Sequence, residues 1–172
     1  MDEKTHARLV ALSTDDGLLE ALRSAMRPGT RAWTIELPPG TPILTANHRN
    51  NRYAAQRRIN ELQEAAIHLA RAHRLPEIPR AVVLVTYAPP PRLKRDRHPF
   101  ASERIEDSEN LQPTAKALVD GFRKAGVFPH GDSRKYVGWV NCVVLPGSHP
   151  RGQVTVHITE VAGEAPELPA PP

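Results

Sequence analysis

Apolar residues recur along this chain at two periods, one helical and one alternating, and their succession outlines a set of elements. Residues 7–12 (ARLVAL) have the composition of a short strand. Ser13, Thr14, Asp15 and Asp16 then offer capping oxygens ahead of Leu18, Leu19, Leu22 and Met26, which fall at helical spacing; Pro28-Gly29 ends that helix. In residues 31–37, Trp33, Ile35 and Leu37 occupy every second position, the period of a half-buried strand. A Pro38-Pro39-Gly40 turn and a polar loop rich in Asn and Arg follow. Over residues 52–74, Ile59, Leu62, Ala66, Leu69 and His73 predict one apolar stripe of a long helix. Its other faces carry Arg52, Arg57, Arg58, Arg71 and Arg74, and Pro76 and Pro79 stop it.

Residues 81–87 (AVVLVTY) are β-prone and apolar at nearly every position, which predicts a central strand. Residues 88–107 form a long polar loop with three consecutive prolines; loops of this length inside compact domains are usually functional or disordered. Leu111, Ala115, Leu118, Val119, Phe122 and Ala125 mark a second amphipathic helix, closed by Gly126. Residues 136–145 and 153–160 read as two antiparallel strands joined through Pro146-Gly147-Ser148. Strands and helices mix without regular βαβ repetition, and no internal repeat is visible. The expectation is an α+β fold: a mixed sheet with two main helices packed on one face. A β-α appendage of unassigned role would occupy residues 1–30, the main domain residues 31–161, and a disordered Pro- and Glu-rich tail residues 162–172.

Composition narrows the class. At 172 residues, 40% hydrophobic and 24% charged, the chain suits one globular domain. No apolar run approaches the roughly 18 residues that cross a bilayer, and the first residues lack the layout of a secretory signal, so a cytoplasmic protein is expected. The single cysteine, Cys142, excludes an internal disulfide framework and a Cys-rich zinc cluster; within a strand it is expected to be a small buried hydrophobe. The net charge is +4, but residues 160–172 hold three acids and no base, which leaves +7 on residues 1–159. A basic body favours a polyanionic partner.

Chemistry concentrates between residues 107 and 137. Asp107 and Glu109 precede the second helix, Asp132 follows it, and Lys116 lies within it. Carboxylate oxygens suit a hard divalent ion such as magnesium, and such ions promote phosphodiester hydrolysis. A lysine nearby can meet the scissile phosphate. The alternative is structural: acids before a helix are caps, acids after it are turn residues, and a helix lysine faces solvent. Periodicity alone does not show whether the two ends of the helix approach each other. None of the eight histidines stands in a zinc-hydrolase pattern; His68 and His73 read as helix-face or core residues. His130 is either turn filler or a substitute ligand or acid beside Asp132. Trp33 and Trp139 read as packing residues, and no Walker-type phosphate loop occurs.

The string N-L-Q-P-T-A-K-A-L-V-D-G-F from Asn110, followed by K-A-G-V-F and D-S-R-K-Y-V, resembles the core of the RusA family of junction-cutting endonucleases. The strand at Trp33, the loop Asn47-His48-Arg49, the basic helix and the closing VTVHITEV resemble that family as well, so the likeness covers about residues 31–161. It implies a magnesium-dependent endodeoxyribonuclease, active also with manganese, acting on branched DNA such as Holliday junctions in recombination or repair. It further implies a homodimer with one site for each of two opposed strands. Position by position, Asp107 and Asp132 match metal ligands, Glu109 stands where relatives carry a second aspartate ligand, and Asp107, Asp132 and Lys116 match catalytic positions. Asn110 would orient the turn between ligand and helix. Asn47, Arg49 and Arg52, with the cluster Arg92, Lys94, Arg95 and Arg97, would bind DNA beside Asn110. Where relatives carry a run of acids, this chain has His130-Gly131 ahead of Asp132, and residues 97–105 form a longer loop. A depleted acidic cluster leaves open an alternative: a RusA-like protein that binds junctions and cuts them weakly or not at all.

Overall fold

A computed structural model describes residues 31–46, 52–91, 108–131, 136–145 and 149–161. In chain order these form β1 (Ala32–Glu36), α1 (Arg52–Ala72) and β2 (Ala81–Ala88). A single 3-10 turn (Ser108–Leu111) then runs into α2 (Gln112–Lys124), followed by β3 (Val137–Val144) and β4 (Gln153–Glu160). The fold is α+β, as expected, with one mixed four-stranded sheet and both helices joined to its core. The expected appendage at residues 1–30 and the tail at 162–172 lie outside the described residues.

The sheet order is β1-β4-β2-β3. β4 runs antiparallel to β1 and β2, and β2 runs parallel to β3, so β1, β2 and β3 all point the same way. The last two strands do run in opposite directions, but they are not partners, since β2 lies between them. β2 is apolar at almost every position and nearly all of it is buried. A strand apolar on both faces suits the interior of a sheet, and β2 takes the place between β3 and β4. β4 alternates strictly, with Val154, Val156 and Ile158 turned toward the core.

α1 buries Leu62, Ala66 and Ala70, with Ile59 and Leu69 partly buried beside them. His73 is not on this stripe: the helix stops at Ala72, and His73 is exposed, as is His68. Leu75 N donates to Ala70 O and Arg74 N to Arg71 O, with Arg74 at φ 49°, a left-handed closing turn made without glycine. The same motif closes α2 where expected: Val127 N donates to Phe122 O and Gly126 N to Arg123 O, with Gly126 at φ 84°. The helices cross closely at Gly121, where a Cβ would stand 2.6 Å from the Cβ of Ala66 and from Gln63 O. Overpacking at such a point typically costs about 1–3 kcal/mol, which accounts for glycine in a helix interior.

Candidate functional site

Three parallel strands give the sheet a carboxyl edge, where open sheets most often bind ligands. The chain leaving β1 runs along this edge to the start of α2. Buried Thr114 holds it there: Thr114 Oγ1 donates to Leu44 O (2.7 Å) and accepts from Leu44 N (2.8 Å). Two residues on, Ala46 N donates to Asn110 O at 3.3 Å. The segment bearing Asn47 and Arg49 therefore departs from beside Asn110, and Arg52 begins α1 in an exposed position. β2 ends at the same edge, and residues 92–107, which include Arg92, Lys94, Arg95 and Arg97, connect Pro91 to Ser108 in the sequence. Asn47, Arg49, these four bases, Asp107 and Asp132 themselves lie outside the described residues.

Glu109 is exposed, Asn110 is half-buried and Leu111 is fully buried, which anchors the 3-10 turn. The N-cap of α2 is Leu111, with no side-chain cap, and a proline stands in the first turn. Glu109 is thus not the N-cap residue of α2. Lys116 is exposed and pairs with Asp120, Nζ to Oδ1 at 2.9 Å, one turn further along α2. An exposed pair at this spacing contributes only about 0.3–0.5 kcal/mol.

The residues flanking Asp132 lie at the other edge. Ile78 N donates to Val127 O and Ala81 N to Tyr136 O, both at 2.8 Å, which fixes the chain on either side of Asp132 near the start of β2. The rings of His130 and Tyr136 are 5.0 Å apart and tilted by 36°. The 13 residues of α2, about 20 Å of helix, separate Glu109 from this turn. Within one chain Glu109 and Gly131 therefore stand beyond opposite ends of α2. His130 is exposed against Tyr136, at the edge away from Glu109. Among the described residues no group of three His, Cys, Asp or Glu side chains is placed to hold a metal ion.

Two polar residues gain significance that periodicity did not assign. Thr114 is one; an apolar stripe at helical spacing passes over a lone threonine. The other is His157, on the side of β4 turned away from the helices, where Thr34 Oγ1 lies 3.2 Å from Nδ1 and Thr86 Oγ1 3.4 Å from Nε2. Burial holds its pKa below the usual imidazole value, with Glu36 acting in the opposite direction. Cys142 is buried as expected, and burial pushes its thiol up to about 12. Trp33 is partly buried against the core, with the Arg31 guanidinium 5.6 Å from its ring.

No protein-family model matches the chain, and no curated protein matches it. No helix among the described residues is long and apolar enough to cross a membrane.

Proposed function

We propose that the chain is a magnesium-dependent endonuclease of the RusA type, hydrolysing phosphodiesters at branched DNA. The observation that carries this reading is the contact of Ala46 with Asn110, backed by the grip of Thr114 on Leu44. It joins two segments that the sequence marks independently, a polar and basic loop and an acidic motif, at one sheet edge. Asp107 and Glu109, both carboxylates, have the donor chemistry of a hard cation site. Magnesium bound there would activate water and neutralise charge on the phosphoryl oxygens. Arg49, Arg52 and the cluster Arg92 to Arg97 would hold the flanking phosphates, Asn110 would orient the acidic turn, and Lys116 would leave Asp120 for the scissile phosphate.

Asp132 adjoins residues at the far edge, so on this reading it reaches the site from a second copy. A two-fold dimer then has two composite sites, Asp107 and Glu109 from one chain with Asp132 from the other, one for each of two opposed strands. The test is cleavage of an end-labelled four-way junction. Cuts that require magnesium support the nuclease. Salt-sensitive binding without any cut supports a junction-binding protein, the reading favoured by His130-Gly131 standing in place of acids.

A further inference from the structure

Both helices share the core on one side of the sheet, and no described element lies on the other. Alternation and register place Thr34, His157, Leu84, Thr86 and Asn141 on that second side. At its β1 rim Thr34 is exposed, as on a bare face. At its centre the pattern reverses: Leu84 is 6% exposed and Thr86 4%. Among the described residues Leu84 is the one buried hydrophobic side chain outside the core cluster. A leucine between a histidine and an asparagine on an uncovered sheet would keep much of its surface in water.

We propose that residues 7–26 of the same chain dock on this face and cover its centre. The segment joins the sheet at its rim, since Ala32 opens the edge strand β1. Leu18, Leu22 and Met26 share one stripe of the helix that the sequence predicts, with Leu19 beside it, and the opposite sheet face is already filled by α1 and α2. A helix over residues 15–26 would be about 18 Å long. Four strands span about 14 Å between the outer two, so one such helix crosses the sheet. The covalent tether gives the segment an effective concentration in the millimolar range, which favours it over a second copy. The inference is independent of the nuclease reading, and it leaves the outer edge of β3 open.

The full-length chain carrying Thr155→Cys tests it, because residue 155 pairs with Thr86 on this face. Cys142, on the core side and buried, is an internal slow reference. The introduced thiol should react with a soluble maleimide about tenfold or more slowly than in the urea-unfolded chain. Adding Leu18→Asp and Leu22→Asp should restore most of the rate, with unchanged mass by light scattering. Hydrogen exchange on the unsubstituted chain gives a second measure, with slow amides expected across residues 15–26. A thiol as reactive as in the unfolded chain, protection that survives both aspartates, protection that requires a dimer, or complete exchange of residues 15–26 within seconds would each overturn the proposal.

Discussion

Thr114 binds both backbone polar groups of Leu44, a residue 70 positions earlier, through one buried hydroxyl. It thereby fixes the segment that leads to the basic loop against the start of α2. Thr114→Val keeps the shape and leaves a buried N–H and C=O unsatisfied, at a cost of about 1–3 kcal/mol. Urea unfolding should show that loss, and DNA affinity measured where the variant is still folded should fall as well. Thr114→Ser should recover most of both.

His157 makes stability depend on pH. Its folded-state pKa is lowered by burial, so the unfolded chain takes up a proton near the ordinary value of about 6.5 while the folded chain resists it. The stabilisation is present above that value and is lost as pH falls through the lowered one. The urea midpoint of the unsubstituted chain should drop between about pH 7.5 and about pH 5.5, and drop less in His157→Gln.

The basic cluster tests the proposed DNA contact without touching the acids. Changing Arg92, Lys94, Arg95 and Arg97 to Gln should weaken binding to every DNA shape and flatten its dependence on salt, because fewer counterions are released. An unchanged salt slope would mean that the cluster only faces solvent.

Local pattern made much of this fold legible. Alternation at Trp33, Ile35 and Leu37, the continuous apolar run of β2 and the stop at Gly126 all correspond to observed elements. What local pattern does not encode is the order of strands. β4 enters between β1 and β2 because those strands offer it partners on both sides, a choice made by the whole sheet. Spacing alone places His73 on the stripe of α1, but the helix closes one residue earlier with a left-handed turn at Arg74. The candidate site follows the same division. The residue types around Asp107 are readable along the chain. The separation of Glu109 from Gly131 follows from a parallel crossover that carries α2 the length of the sheet.

That separation makes a composite site testable by mixing. If Asp132 acts across a two-fold dimer, Asp107→Asn and Asp132→Asn chains are each inactive alone, yet a mixed dimer rebuilds one intact site. Unfolding and refolding an equal mixture should yield about a quarter of the wild-type nicking activity, as half the dimers are mixed with one working site each. A mixture as inactive as its components would place all ligands in one chain.

The most direct measurement of the central claim compares the unsubstituted chain with Asp107→Asn on one labelled four-way junction, scoring cleavage and binding together. Removing one carboxylate charge should lower magnesium-dependent cleavage by orders of magnitude, since metal activation of water is an effect of several kcal/mol. Binding should persist or tighten, because a negative charge facing the phosphates has gone. Equal cleavage by both proteins would contradict the metal-site assignment. If the unsubstituted chain binds the junction and never cuts it, with or without magnesium, the nuclease reading fails, and the depleted acids at His130-Gly131 become its explanation.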